Sequence, residues 1–289
     1  MKVDFFIVGA PKAGTTSLYH YLDEHHDICM SSDKEPNYFS DEELQQQDMY
    51  YGKSRVETLD IYHSLFDKHS ESKIKGEASV SYLFYKNVPK KIKEYNPNAK
   101  IIIMLRNPSH RAFSHYLMDR RLGLVYDSFE DIIEKKSNHK NAELFYQQYI
   151  EVGQYADQVS RYLEFFDRKN ILFIEYEDFR KDIMNVMNRV YKFLNVELSG
   201  EINLNQKHNT YSRPKNNFIR FIYSFVSLRN ILTTFLPKKI IKAIRSVLFK
   251  RDKKPSLSDE TKQKLKILFK DDINELSEIL NKDFSGWIK

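Results

Sequence analysis

As far as residue 175, short apolar runs alternate with stretches of helical period. The run Val3-Asp4-Phe5-Phe6-Ile7-Val8 is rich in β-formers and stops at Gly9. Comparable runs recur at 27–30, 74–77, 100–105 and 170–175. Brief apolar runs bounded by turn residues predict buried strands. Between them, apolar positions spaced three to four apart predict helices at 15–24, 60–68, 88–95, 109–121 and 155–166. Strands alternating with helices predict an α/β fold, a parallel sheet with helices on both faces. In such sheets ligands bind beyond the carboxyl ends of the strands.

After residue 175 the pattern is mostly helical, at 183–194, 218–249 and 259–280. Residues 198–214 read as a long loop, and Lys250-Arg251-Asp252-Lys253-Lys254-Pro255 as a charged breaker. Ser258 or Asp259 can cap the last helix. No repeat or low-complexity tract is present. The expected architecture is a P-loop-like parallel sheet flanked by helices, with a helical C-terminal extension. One domain is expected over 1–289, with an α/β core at 1–215 and a helical elaboration at 216–289.

The sharpest local signal is Gly9-Ala10-Pro11-Lys12-Ala13-Gly14-Thr15-Thr16, between the first strand and Ser17-Leu18-Tyr19-His20-Tyr21-Leu22. A strand, tight loop and helix leave N–H groups free to cradle a phosphate. The triphosphatase P-loop needs Lys directly after the second Gly. Here Thr15 stands there, and the lysine is Lys12, inside the loop. Thr15, Thr16 and Ser17 add hydroxyls, whose ordinary use is N-capping.

A second constellation is Leu105-Arg106-Asn107-Pro108-Ser109-His110-Arg111-Ala112-Phe113-Ser114-His115-Tyr116. Arg106 ends a strand, Pro108 suits a first helical turn, and Ser114 lies on that helix. A guanidinium fork suits phosphate, and serine adds a neutral donor. Two separate anion sites imply a ligand charged at two places.

The bulk numbers narrow the partners. Net charge is +6, which favours anionic ligands but is too mild to point to nucleic acid. The single cysteine, Cys29, excludes a disulfide framework and a cysteine zinc site. No His, Asp and Glu spacing demands a metal. No basic and apolar leader precedes the first strand, and no long uncharged apolar run occurs. A cytoplasmic protein is therefore expected. The basic apolar stretch 218–250 could either wall a cleft or rest peripherally on an inner membrane surface.

These motifs resemble the sulfotransferases. The first loop looks like their 5′-phosphosulfate loop, and the Arg106 segment like their 3′-phosphate segment. Similar stretches follow in order: Lys34-Glu35-Pro36-Asn37-Tyr38-Phe39, Gly76-Glu77-Ala78-Ser79-Val80-Ser81-Tyr82-Leu83, Glu175-Tyr176-Glu177-Asp178-Phe179 and Lys282-Asp283-Phe284-Ser285-Gly286-Trp287. The carbohydrate enzymes, such as the heparan sulfate sulfotransferases and their bacterial relatives, are the most similar subgroup.

The resemblance implies 3′-phosphoadenosine 5′-phosphosulfate as donor, 3′-phosphoadenosine 5′-phosphate as product, and no metal. It implies that Lys12 stabilises the leaving oxygen. Ala13, Gly14, Thr15, Thr16 and Ser17 would hold the 5′-phosphate, and Arg106 and Ser114 the 3′-phosphate. Lys207 and Arg213, in a basic loop around Tyr211, are further candidates for the nucleotide. Glu35 would be the general base, its pKa raised by neighbouring Tyr38 and Phe39. Glu77 would support it or pair with a loop cation. The three-O-sulfotransferases carry a lysine where this chain has Ala78, so its acceptor is expected to differ from theirs. The expected acceptor is a saccharide or glycolipid.

Other readings stay open. One is a nucleotide kinase or triphosphatase with a degenerate loop. Another is a noncatalytic module that binds anions or a membrane surface. His20, His25, His26, His110 and His115 are alternative bases, with packing the commoner role for His115 and helix termination for His25 and His26.

Overall fold

The structure is a computed structural model that describes residues 1–47, 56–67, 73–197 and 255–288, with Ile240 and the backbone of 212–214 and 249–251. Its central sheet contains β1 (Phe5–Gly9), β2 (Ile28–Met30), β3 (Ile74–Ala78), β4 (Lys100–Leu105) and β5 (Ile171–Glu175). The strands run in the order β2-β3-β1-β4-β5, and every pairing is parallel. Both faces of such a sheet are covered, so its inner strands are apolar throughout rather than alternating. All of β1 and five residues of β4 are buried.

One glycine sets the spacing inside the sheet. Gly76 on β3 faces Phe5 on β1, and a Cβ there would lie 2.0 Å from Cζ of the ring. Only glycine admits the phenyl ring at that point.

The crossovers supply α1 (Thr15–Asp23), α2 (Asp41–Gln46), α3 (Leu59–Ser64), α4 (Val88–Tyr95), α5 (Pro108–Leu122), α6 (Phe129–Ile133), α7 (Ala142–Tyr149) and α8 (Tyr155–Phe165). Beyond β5 come α9 (Tyr176–Lys181) and α10 (Ile183–Leu194), then α11 (Asp259–Leu280). Each strand, and the helices at 88–95, 183–194 and 259–280, fall where the periodicity places them. Ser258 caps α11 by accepting from the Thr261 N–H at 3.1 Å. Pro108 opens α5, where Asn107 accepts from the His110 N–H at 3.2 Å.

The helix expected at 60–68 ends four residues early, at Ser64. Short α2, α6, α7 and α9 escape periodicity because five to eight residues hold barely two turns. The expected loop at 198–214 and breaker at 250–255 are also corrected. Ser212–Pro214 (β6) pairs antiparallel with Phe249–Arg251 (β7). Backbone pairing between segments so far apart leaves no local pattern to detect. The remainder of 218–250, except Ile240, lies outside the described residues, as does Lys207. Among the described residues no helix is long and apolar enough to cross a membrane.

Helix α11 is fastened to the sheet-flanking helices. Asp272 accepts from the N–H groups of Tyr155 and Ala156 at 2.7 and 2.9 Å, completing the first turn of α8. The Trp287 carbonyl accepts from Asn107 Nδ2 at 3.1 Å, which brings the C-terminal segment beside the start of α5.

Candidate active site

Parallel strands end on one edge, so the loops that leave them converge. The Ala10–Gly14 loop leaves β1, the 35–37 turn follows β2, Ser79 follows β3, Arg106 follows β4, and Tyr176 follows β5.

The loop after β1 is open toward that edge. Gly14 caps α1 with φ +94° and no side-chain cap bond. A Cβ at Gly14 would lie 3.1 Å from Tyr176 Cδ2, in a backbone region that other residues rarely occupy. Lys12 also has a left-handed φ of 68°. Among the described residues, nothing accepts from the N–H groups of Lys12, Gly14, Thr15 or Thr16. Four open amides at the start of a nine-residue helix form an anion cradle. Two expected contributors drop out of that cradle. The Ala13 N–H is taken by the Ala10 carbonyl at 3.2 Å, and the Ser17 N–H by Gly14 at 3.0 Å. Ser17 retains its hydroxyl. Neither Thr15 nor Thr16 caps the helix, so their hydroxyls are not used there.

Lys12 is half-buried, with Nζ 3.3 Å from Met118 Sδ on α5. Ser114 and Arg121 are one turn to either side of Met118, so all three share the helix face toward the loop. Burial pushes the Lys12 ammonium down to about 8, and Arg121 pushes in the same direction. Asp119, Glu35 and Arg106 also act on it, the two acids raising its pKa and the arginine lowering it.

The two anion motifs meet directly. Arg106 Nη1 donates to the Lys12 carbonyl at 2.8 Å. Its guanidinium carbon lies 4.4 Å from the Tyr176 ring centre, a cation–π stack. Its Nε is buried without a partner among the described residues. Tyr155 Oη donates to the Arg106 carbonyl at 3.0 Å and so fixes the backbone.

Glu35 is placed differently from the expectation. Its side chain is 40% exposed and is ion-paired with Lys34. Tyr38 and Phe39 turn away from it into the core. Tyr38 stacks on Tyr62 with centroids 4.7 Å apart, and Phe39 packs edge-on to Phe6 and Tyr82. The aromatics therefore do not desolvate Glu35. Glu35 and Asn37 nevertheless hold left-handed backbones, φ 66° and 55°.

The desolvated acid is Glu77, which is 0% exposed. It accepts from the hydroxyls of Tyr62 and Ser79, the latter at 2.6 Å, and it pairs with no cation among the described residues. Burial raises its pKa to about 7 against these hydrogen bonds. Pairing with a loop cation, one of the expected alternatives, is thus replaced by a set of hydroxyls.

His115 and His25 are held by packing and local hydrogen bonds. His115 is buried, and burial beside Arg111 lowers its pKa well below the usual value. Arg111 is itself buried and donates to the carbonyls of Gln148 and Tyr149 at 2.8 and 2.6 Å. His25 ends the first helix, with Nδ1 accepting from the Asp27 N–H at 3.1 Å. Arg213 contributes backbone to β6, but its side chain, like Lys207 and Tyr211, lies outside the described residues. Among the described residues no cluster of His, Cys, Asp or Glu is placed to hold a metal ion.

Tyr176 was not singled out from the sequence. The signal lay in its position, directly after a strand that ends on the same edge as the loop.

A parallel α/β sheet carrying an open amide loop, a loop lysine and a stacked strand-end arginine defines a P-loop-like α/β protein. The sulfotransferase domain model matches residues 2–277, and the chain belongs to the sulfotransferase family. It is similar to the bifunctional heparan sulfate N-deacetylase/N-sulfotransferase 1 of Xenopus laevis, 28% identical over 197 residues. It is also similar to human carbohydrate sulfotransferase 15, 27% identical over 243 residues. Each match takes in 66% of this chain, but only 22% and 43% of those longer proteins. The solved sulfotransferase of Alicyclobacillus acidocaldarius superposes with a TM-score of 0.70 at 28% identity, covering 100% of both chains.

Proposed function

We propose that this protein transfers a sulfuryl group from 3′-phosphoadenosine 5′-phosphosulfate to a hydroxyl or amine of a saccharide or glycolipid. The observation that supports the reading is the 2.8 Å bond from Arg106 to the Lys12 carbonyl, which brings the two candidate anion motifs together. Family membership and the carbohydrate enzymes among its relatives support the donor and acceptor classes.

The residues fit such a donor. Four open amides and the Lys12 ammonium suit its 5′-end. The orphaned Arg106 Nε and the Ser114 hydroxyl suit its 3′-phosphate. When bound, the donor supplies the sulfuryl group. Lys12 would neutralise charge on the departing oxygen, the place where transfer chemistry gains most from a fixed cation. Glu35 would take the proton from the acceptor; its exposed carboxylate is open to a substrate arriving from solvent. The sheet and C-terminal helix would work as one unit, since Asp272 and Trp287 bind residues next to the site.

Calorimetry should show 3′-phosphoadenosine 5′-phosphate binding far tighter than ATP, and a screen with labelled donor should reveal the acceptor. Lys12→Ala should reduce transfer at least about 100-fold while the protein still melts cooperatively. Tighter binding of ATP, with magnesium-dependent hydrolysis, would instead establish the degenerate triphosphatase. Nucleotide binding without transfer to any acceptor would establish a noncatalytic module.

A further inference from the structure

Glu35 is exposed, yet it and Asn37 hold left-handed backbones without being glycine. Such conformations persist only where surrounding bonds over-determine them. The bonds that tie the turn to another segment come from Ala78, at the end of β3, and from the residues after it. The Glu35 N–H donates to the Ala78 carbonyl at 2.9 Å. The Asn37 N–H donates to Ser79 Oγ at 3.0 Å, and Ser81 Oγ donates to Asn37 Oδ1 at 2.7 Å. Asn37 Nδ2 then donates back to the Glu35 carbonyl at 2.8 Å.

Ser79 is the junction. Its hydroxyl accepts from Asn37 and has one proton to give, which goes to Glu77 Oε1 at 2.6 Å. A hydroxyl that rotates freely would offer Asn37 its proton in some orientations and lose the bond. When ionised, the carboxylate behind it accepts only and fixes the rotor, so the lone pairs face Asn37. Tyr62 Oη donates to the other carboxylate oxygen, and Tyr62 stacks on Tyr38 of the same turn. Tyr82 Oη accepts from the Phe39 N–H at 3.1 Å and also reaches Glu77. Every described side-chain partner of Glu77 therefore leads to the 37–39 segment.

We propose that Glu77 is a positioning residue for the reaction: through Ser79 and Asn37 it fixes the turn that presents Glu35 to the acceptor. This rests on the reading of Glu35 as the proton acceptor. A buried acid whose ligands are all hydroxyls contributes little as a core residue, since burying it carries a desolvation cost. Its use is directional, because an apolar residue could not orient the Ser79 proton.

The test uses Glu77→Gln and Ser79→Ala, both close to the parent in size. Hydrogen exchange should show the Asn37 amide exchanging at least tenfold faster in each variant. The kcat should fall about tenfold or more, while KM for the donor and the affinity for 3′-phosphoadenosine 5′-phosphate stay within twofold. In a Glu35→Gln background neither change should lower kcat further. Unaltered Asn37 exchange would overturn the proposal. So would losses that add to that of Glu35→Gln, or nucleotide affinity falling in step with kcat, as a merely structural role requires. If the parent protein transfers no sulfuryl group, the proposed function fails by itself, and Asn37 exchange still decides whether Glu77 holds the turn.

Discussion

Replacing Glu77 by Gln should change how stability depends on pH. The carboxyl is buried and its pKa rises from 4.5 to about 7, with burial the largest cause. Below pH 4.5 both native and unfolded chains hold the proton. Between 4.5 and about 7 the unfolded chain releases a proton that the native protein keeps. Stability due to this group is thus complete at low pH and is lost as pH rises through about 7. The shift corresponds to about 3 kcal/mol, an order-of-magnitude figure from 1.36 kcal/mol per pKa unit. Glutamine does not titrate, so the variant lacks this loss. Other shifted groups, such as Asp272 and His115, are common to both proteins and cancel in the difference. Urea unfolding of both proteins across this pH range gives the comparison by linear extrapolation. The parent should lose stability relative to Glu77→Gln as pH rises, then run parallel above neutrality. Parallel curves throughout, or a relative gain by the parent, would refute the assignment of a buried, proton-retaining carboxyl.

Two further outcomes follow from the loop. Arg106→Ala should weaken 3′-phosphoadenosine 5′-phosphate by about 2 kcal/mol, the size of a charged hydrogen bond, and adenosine 5′-phosphate much less. Equal losses in calorimetry would make Arg106 only a brace for the Lys12 carbonyl. Gly14→Ala, at φ +94° and 3.1 Å from Tyr176, should cost about 1–3 kcal/mol of stability and weaken both nucleotides. A variant that melts with the parent would contradict the left-handed cap.

The sheet could be read from the sequence because its strands are local apolar runs closed by turn residues. The boundaries of β4, α4, α10 and α11 needed no tertiary information. Gly9 to Thr16 announced an anion loop by the same local logic, and Arg106 by its place at a strand's end. The short helices α2, α6, α7 and α9 were missed because so few residues carry no reliable period.

The order of residues along the chain settles which segments become strands and helices, and that the β1 loop and Arg106 lie at carboxyl ends. It does not settle which acid is dry. Glu35 has aromatic neighbours in sequence, but the fold turns those rings inward and leaves its carboxylate in solvent. Glu77 looks like an ordinary strand-end acid until Tyr62 and Ser79 close over it. The deciding contacts join residues 42 apart at Asn37 and Ser79, and 94 apart at Lys12 and Arg106. Burial and hydrogen-bond pairing depend on which surfaces meet, and that is fixed only when the strands assemble in their non-sequential order.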